Sequence, residues 1–114
     1  MSFQRLSSYT IMVMFVFFDM PVDNKDNRRK ASRFRKNLKK IGFRMLQYSV
    51  YVKHCFSYED SQAEIRQVEK ILEDTGEVGV LEITDKQYGM MRYYHQKTVE
   101  GKKLEIKNEQ LRLF

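Results

Sequence analysis

The stretch "FVFFDMPVDNKDNRR", residues 15 to 29, determines how the chain folds, because one predicted element ends in it and the next begins. Its first residues belong to an apolar run from Ile11 to Phe18 that lacks the polar alternation of a half-exposed strand. We therefore predict a central strand, covered on both faces or by its own helices on one face and a partner on the other. The run stops at an acid, Asp19, and Pro21 ends the strand. Asp19 is thus either a turn residue or a chemically active group.

A basic helix is predicted after this strand. Asp23, with Asp26 three residues later, resembles a helix N-cap and its returning acid. The apolar residues that then recur at helical spacing are Ala31, Phe34, Leu38 and Ile41. Gly42 ends the pattern, so we predict a helix over residues 24 to 41. Its apolar stripe is narrow, which leaves most of its basic side chains pointing sideways or outward.

The remaining elements are three strands, a second helix and a short helical turn. The predicted strands cover residues 43 to 47, 49 to 55 and 78 to 84, the first two joined by a very tight reversal or forming one long bent strand. An acidic helix is predicted over residues 60 to 74, and its apolar face consists of Ile65, Val68, Ile71 and Leu72. Ser61 and Glu64 would form its capping box, and Gly76 would terminate it. The short helical turn starts at Asp85.

The composition is that of one domain. The chain has 114 residues, of which 42% are hydrophobic, enough for a single core. The one cysteine, Cys55, cannot form an intramolecular disulfide, and we expect a cytoplasmic protein without membrane contact. The longest apolar run is shorter than the roughly 20 residues that span a bilayer. We predict a flexible extension over residues 1 to 9, the folded domain over residues 10 to 94, and an interaction tail over residues 95 to 114.

Positive charge is concentrated in one segment. Residues 25 to 44 contain ten Lys or Arg and a single acid, Asp26; they sum to +9, and because the whole chain carries +6 the rest sums to −3. Such a cluster favours a polyanion, although a solvated helix face is the alternative, since Lys and Arg are good helix formers. Few acids in the segment are available for pairing, which favours nucleic-acid contact. The side chains predicted to make it are Arg28, Arg29, Arg33, Arg35, Lys36 and Lys39.

The order of elements predicts an α+β fold. Strand, helix, strand, strand, helix, strand is the ferredoxin-like βαββαβ arrangement, with two helices on one face of an antiparallel sheet. The other face would expose the first strand and residues 48 to 51, which are too apolar to leave in water, so we predict a two-fold homodimer. A C-terminal strand would join the partner's sheet at this interface. Its alternating apolar residues are Leu104, Ile106, Leu111 and Leu113.

Three stretches in this order resemble the CRISPR-associated adaptation nuclease family, the smaller of the two core spacer-acquisition proteins. They are "FVFFDMP", "DNRRKASRFRKNLKKIGF" and "MLQYSVYVK", and "FDMPVD" is similar to forms found in type II systems. The resemblance covers roughly residues 11 to 53, and "ITDKQYGMMRYY" more loosely. It implies a homodimer of ferredoxin-like subunits, a divalent-metal-dependent phosphodiesterase activity on RNA or DNA, and a scaffold role between two dimers of a larger integrase subunit.

Asp19 is the candidate catalytic and metal-binding residue. A carboxylate at the end of a central strand is rigidly held, and Mg²⁺ requires oxygen ligands. One Asp is too few, but Asp19 from each subunit would supply two carboxylates to one Mg²⁺ shared across the dimer axis, acidifying a bound water for attack on phosphorus. The alternative is that Asp19 accepts hydrogen bonds from loop amides; the resemblance favours the metal. For Asp23 we expect a capping role rather than a second ligand.

Other polar residues carry weaker expectations. Tyr48 and Ser49 match the strand motif of the family and are candidates for the dimer interface, although a tight turn also favours Ser and a sheet face Tyr. The family commonly has Tyr where this chain has Phe18, so a hydroxyl is absent there. His54 and Cys55 are neighbours on a strand and point to opposite faces, which argues against a zinc site.

Taken together, these features predict a dimeric scaffold for spacer acquisition. Its basic helices would lie along the phosphate backbone of double-stranded prespacer DNA, and its tail would grip the integrase subunit. Mg²⁺-dependent hydrolysis of DNA or single-stranded RNA would be a secondary activity. The alternatives are a toxin-like endoribonuclease of related fold, acting without an integrase partner, and an RNA-recognition domain, whose glycine and aromatic pattern "SVYVKHCF" does not match.

Overall fold

The computed structural model describes residues 10–94 and residue 96. In chain order its elements are β1 Met12–Asp19, α1 Lys25–Lys40, β2 Arg44–Gln47, β3 Val50–Cys55, α2 Tyr58–Lys70, β4 Glu77–Thr84 and α3 Asp85–Gly89. This is the predicted ferredoxin-like βαββαβ order, with a short third helix after it. The predictions for residues 1 to 9 and for the tail, including Leu104, Ile106, Leu111 and Leu113, fall outside the described residues.

The four strands form one antiparallel sheet in the order β2-β3-β1-β4. β1 pairs with β4 along its whole length and with β3 from Met12 to Phe17, so the predicted central strand is confirmed. Tyr48 and Ser49 form the turn between β2 and β3, and the two strands pair with each other. The alternative of one long bent strand is therefore wrong.

One face of the sheet packs against α1 and α2. Side chains alternate along a strand, and the even-numbered residues of β1 point to this face. The core they form contains Met12, Met14, Val16 and Phe18 from β1, Ala31, Phe34 and Leu38 from α1, and Val68 from α2. Phe18 meets Phe34 edge to face, with 5.0 Å between the ring centroids. The predicted apolar stripe of α1 is confirmed, and its last member, Ile41, packs partly buried against this core.

The opposite face of the sheet has two ends that differ. At the covered end, which we define by Phe15, His54 and Tyr88, α3 places the buried Tyr88 ring 5.6 Å from Phe15 and 5.7 Å from His54. The uncovered end, which we define by Phe17, Asp19, Glu77 and Leu81, extends along the β4 edge as far as Leu81, which pairs with Phe15. Phe17 is 48% exposed and Leu81 is 52% exposed. The face predicted to be open is thus open over only one of its ends.

The start of α1 differs from the prediction by one residue. Asn24, not Asp23, is the N-cap: its side-chain oxygen accepts a hydrogen bond from the backbone N–H of Asn27 at 2.8 Å. Asp23 instead accepts a bond from the side-chain amide of Asn27, also at 2.8 Å. The predicted cap was wrong because Asp and Asn are both good caps, and sequence alone does not say which of two neighbours has the extended backbone of the cap.

The predicted capping box of α2 is also wrong. Ser57 is the N-cap, and its hydroxyl accepts from the backbone N–H of Asp60 at 3.1 Å. Ser61 lies inside the helix, fully buried, and its hydroxyl donates to the carbonyl of Tyr58 at 2.6 Å. Glu64 forms an ion pair with Lys53 of β3 at 2.8 Å. The S-x-x-E pattern is present, but one turn too late to start the helix.

α2 ends before its predicted terminator. Its last residue is Lys70, so Leu72 lies beyond the helix and is 47% exposed rather than part of an apolar face. Gly76 has φ +81° and lies directly before β4. The connecting segment, residues 71 to 76, runs alongside α1 and pairs with its cations, as described below. None of the described helices is both long and apolar enough to cross a membrane.

Candidate functional site

Asp19 lies at the uncovered end of the sheet. It is the last residue of β1, it is exposed, and its cross-strand neighbour is Glu77, the first residue of β4. Because paired residues in antiparallel strands point to the same face, both carboxylates lie on the side away from the helices. A depression of about 470 Å³ surrounds them, lined by Phe17, Phe18, Asp19, Ser49, Val50, Glu77, Val78 and Gly79.

Local packing fixes the backbone around Asp19. The N–H of Phe18 donates to the carbonyl of Ser49 at 3.0 Å, which ties the end of β1 to the turn between β2 and β3. On the other side, a Cβ atom added to Gly79 would lie 2.5 Å from the Phe17 ring, so that ring lies across the strand only because position 79 is glycine. Asp19 is thus held between β4 and the turn that connects β2 and β3, rather than on a free loop.

The chemistry of the depression suits a hard cation only in part. Carboxylate oxygens are the ligands that Mg²⁺ prefers, and Asp19 and Glu77 supply them side by side. Within residues 10–94 and 96, however, no group of three or more His, Cys, Asp or Glu side chains could hold a metal ion. The donor type fits Mg²⁺ but one chain offers too few donors, so further ligands would have to come from a second copy or from phosphate and water.

Asp23 and the Phe18 ring lie away from the Asp19 carboxylate in different ways. The Asp23 carboxylate is exposed and bound by the Asn27 side chain, which holds the pKa of Asp23 below its ordinary value. It is absent from the lining of the Asp19 depression. The Phe18 ring packs on Phe34 on the helix side of the sheet. The hydroxyl of a Tyr at position 18 would therefore lie on the opposite face from the Asp19 carboxylate.

Tyr48 and Arg35 form a stack at the turn between β2 and β3. The Arg35 guanidinium lies 4.0 Å from the centroid of the Tyr48 ring and 5.7 Å from that of Phe18. Tyr48 is 68% exposed, whereas Arg35 is partly buried. Arg35 was predicted to contact nucleic acid, but the structure places it at the flank of α1, bracing the turn that carries Ser49. Arg28 also braces a loop, donating to the carbonyl of Val22 at 3.2 Å.

The outer face of α1 forms a shallow cationic groove of about 480 Å³. Its lining residues, which define the α1 groove, are Arg29, Ser32, Arg33, Lys36, Asn37 and Lys40. Arg29, Arg33, Lys36 and Lys40 are spaced by three or four residues, which puts them on one face of the helix. Ser32, Asn37 and Lys40 were missed at the sequence level. The same spacing rule, applied to the basic residues, would have found Lys40.

The cations of α1 are not all available to a ligand. Asp26 pairs with Arg29 and, at 3.2 Å, with Lys30, while Asp74 pairs with Lys30 at 2.7 Å. These contacts lower the pKa of both carboxyls and raise that of Lys30. Among the described residues, no ion pair involves Lys36, Lys39 or Lys40. The basic segment supplies only Asp26, as expected, but Asp74 adds a further acid partner from the distant segment 71 to 76.

Comparison with known proteins identifies the family. The family model described as CRISPR associated protein Cas2 matches residues 12–91, from the start of β1 to just beyond α3. The chain belongs to this family. The family resemblance of the β1, α1 and β3 motifs is thereby confirmed, and it extends through the "ITDKQYGMMRYY" segment almost to its end.

Curated relatives agree with this result. The chain is 40% identical over 113 residues to the CRISPR-associated endoribonuclease Cas2 of Flavobacterium psychrophilum, covering 98% of the chain and 96% of the relative. It is 40% identical over 83 residues to that of Parvibaculum lavamentivorans, covering 73% and 82%. It is 41% identical over 90 residues to that of Paracidovorax avenae, covering 79% and 83%. All three relatives are named endoribonucleases.

His54 and Cys55 lie on different faces of the sheet, as their adjacency predicts. Cys55 pairs with Met12 on the helix side and His54 with Val13 on the opposite side. Burial raises the pKa of the Cys55 thiol to about 11. Burial and the nearby Arg44 charge lower the pKa of His54 to about 4. Both groups are therefore neutral at pH 7, and His54 belongs to the covered end rather than to the Asp19 depression.

Proposed function

We propose that this Cas2 family chain acts in CRISPR adaptation as a homodimeric scaffold that binds duplex DNA and bridges dimers of a larger integrase subunit. The observation that carries the proposal is the α1 groove, where Lys36 and Lys40 have no acid partner among residues 10–94 and 96. Lysine and arginine neutralise phosphates and release their counterions, which supplies affinity without sequence preference. The lining of the groove contains no aromatic side chain on which a base could stack, so backbone contact with a duplex is favoured over a single strand.

A second copy of the chain would complete the structure at the uncovered end. Phe17 and Leu81 are half exposed there, and a two-fold dimer that packs sheet on sheet would bury both. β4 is also an edge strand of the sheet formed by the described residues, and an edge strand presents a row of backbone N–H and carbonyl groups to another strand. The predicted tail strand, containing Leu104, Ile106, Leu111 and Leu113, would pair with that edge in the partner and place the remaining tail against the integrase subunit.

Hydrolysis of phosphodiester bonds is the secondary activity in this proposal, and the names of the curated relatives favour RNA as its substrate. Asp19 from both copies would hold one Mg²⁺, with Glu77 beside each ligand. When bound, the ion would lower the pKa of a water molecule for attack on phosphorus. The chain's own contribution is positional: the Phe18 to Ser49 hydrogen bond and the Phe17 ring over Gly79 fix the backbone that carries Asp19.

The test compares two variants of the full chain in spacer integration reconstituted with the larger integrase subunit, and in Mg²⁺-dependent cleavage of RNA. The variant Asp19→Asn should lose cleavage and keep integration, because the amide keeps the shape but weakens the metal ligand. Changing Lys36, Lys39 and Lys40 to Gln should do the reverse, with the loss of integration following the loss of duplex binding. Normal integration by the lysine variant, with an unaltered salt dependence of DNA binding, would contradict the scaffold proposal and favour an endoribonuclease that acts alone.

A further inference from the structure

Glu73 forms the most enclosed contact that any acid makes with the α1 groove in the described chain. Arg33 donates to its two carboxylate oxygens, from Nε at 2.9 Å and from Nη2 at 2.5 Å. The Glu73 side chain is 9% exposed, whereas that of Arg33 is 52% exposed. The carboxylate thus lies under a guanidinium that faces solvent. The contact joins residues 40 positions apart in the chain, so it belongs to the tertiary fold and not to the helix.

This contact changes what Arg33 can offer to a phosphate. A guanidinium has five N–H donors in a planar fork, and Glu73 occupies two of them along one edge. The hydrogen bonds between the two side chains, together with their opposite charges, hold the pKa of Glu73 below its ordinary value and raise that of Arg33, so both stay ionised at pH 7. A phosphate in the groove would meet a cation that is already neutralised, with a carboxylate directly behind it. Its attraction to Arg33 is therefore much weaker than its attraction to Lys36 or Lys40.

The groove accordingly has two parts that differ in how strongly they attract an anion. Arg33 is neutralised by Glu73 and Arg29 by Asp26, whereas Lys36 and Lys40 have no acid partner among the described residues. A polyanion would gain contacts at the lysines first. It would reach full contact only by drawing Arg33 away from Glu73, since a phosphate accepts the same forked pair of N–H groups that a carboxylate does.

We propose that Glu73 competes with nucleic-acid phosphate for Arg33, so that residues 71 to 76 set the affinity and the salt dependence of binding to α1. This inference rests on the nucleic-acid role proposed above for the α1 groove. Glu73 keeps Arg33 from acting as an isolated cation on the surface of the free protein. It therefore reduces binding to single phosphates and favours ligands that present a row of them.

The test is a salt titration of duplex DNA binding by the full-length variant Glu73→Gln. Gln keeps the shape of the side chain and removes its charge, which frees Arg33 for phosphate. The variant should bind about threefold to tenfold more tightly at low salt. Its log–log salt slope should be steeper by about 0.9, the value of one added phosphate contact. The matched control is Glu69→Gln, an exposed acid of α2 without an ion pair in the described chain, which should change affinity by less than about twofold.

A double-mutant cycle shows whether the gain in DNA affinity of the Glu73 variant depends on Arg33. In an Arg33→Gln background the Glu73→Gln change should have no effect beyond that of Glu69→Gln. Equal effects of Glu73→Gln and Glu69→Gln in the parent would overturn the proposal. Weaker binding by Glu73→Gln would also overturn it, because Glu73 would then be orienting Arg33 for phosphate rather than competing with it.

Two further measurements separate this proposal from the function on which it rests. If Lys36→Gln with Lys40→Gln leaves DNA binding unchanged, α1 is not the nucleic-acid surface and both proposals fail. If that pair weakens binding while the Glu73 variant behaves like its control, only the competition fails. A last measurement uses the unaltered chain and so does not depend on the folding of a variant. Duplex DNA should shift the NMR resonance of the Arg33 Nε–H group. An unchanged resonance at saturating DNA would overturn the proposed competition.

Discussion

The two ends of the helix-free sheet face show two ways of dealing with apolar surface. At the covered end the chain closes the face itself: Tyr88 from α3 is 1% exposed and packs on Phe15 and His54. At the uncovered end nothing in the described chain covers Phe17 or Leu81, and the exposed acids Asp19 and Glu77 lie next to Phe17 on the same face. The first arrangement stabilises one subunit, and the second leaves a surface suited to another molecule.

The difference follows from where polar groups are placed. Tyr88 can cover the sheet because α3 begins directly after β4. Thr84 is the N-cap of α3 and forms a capping box with Gln87, which directs the helix back across the strands. No such element follows β1 at the other end, where the chain turns away into α1. Burying a carboxylate such as Asp19 without a partner would cost free energy. The surface around it therefore stays accessible until positive charges or a metal ion compensate its negative charge.

The largest effect is expected from opening the covered end. Tyr88→Ala should lower the free energy of unfolding by about 3 to 4 kcal/mol, because it removes a buried aromatic ring and leaves a cavity above Phe15. Urea denaturation monitored by circular dichroism measures the loss. The matched control is Tyr94→Ala, a residue 71% exposed, which should cost less than about 0.5 kcal/mol. Equal losses for the two variants would show that Tyr88 does not cover the sheet.

The next largest effect is expected from charging the uncovered end. Leu81→Lys should weaken the proposed homodimer by about 30-fold or more, because a lysine cannot be buried unpaired in an apolar interface. Sedimentation velocity at micromolar concentration should show dimers for the parent chain and monomers for the variant. Val22→Lys changes an equally exposed apolar residue in the loop between β1 and α1 and should leave the dimer intact. Identical sedimentation of both variants would remove this face from the interface.

Much of the uncovered end could be predicted from the sequence. The apolar run before Asp19 is long and has no polar alternation, so a central strand ending in an exposed acid followed from local pattern alone. The register that pairs Asp19 with Glu77 could not be read in the same way, because it depends on how two strands far apart in sequence align. The apolar stripe of α1 was predictable for the same reason as β1, since helical spacing is a local signal.

The covered end and the acids beside α1 could not be predicted. The short helical turn was predicted to start at Asp85, but the direction in which α3 folds is set by its cap geometry and by the contact of Tyr88 with Phe15. The pairing of Arg33 with Glu73 is invisible to the i to i+4 rule because 40 positions separate the residues. The net charge counted along a stretch of sequence therefore overestimates the positive electrostatic potential at the folded surface.

The smallest of these effects is a pH dependence located at the covered end. The pKa of His54 is lowered from 6.5 to about 4 by burial and by the Arg44 charge. The unfolded chain therefore binds a proton near pH 6.5 that the folded chain does not bind until about pH 4. This stabilising contribution is complete above pH 6.5 and declines as the pH falls toward 4. Between pH 7 and pH 5 the unfolding free energy should drop by about 2 kcal/mol from this group.

The variant His54→Gln isolates that contribution, because Gln fills similar space and does not titrate. The paired carboxylates Asp26, Glu73 and Asp74 have lowered pKa values, so their own losses lie at lower pH and are common to both proteins. Urea unfolding at pH 7 and pH 5 should therefore show a smaller drop for the variant by about 2 kcal/mol. The same drop in both would mean that water reaches His54, and that Tyr88 does not seal its end of the sheet as the ring contacts imply.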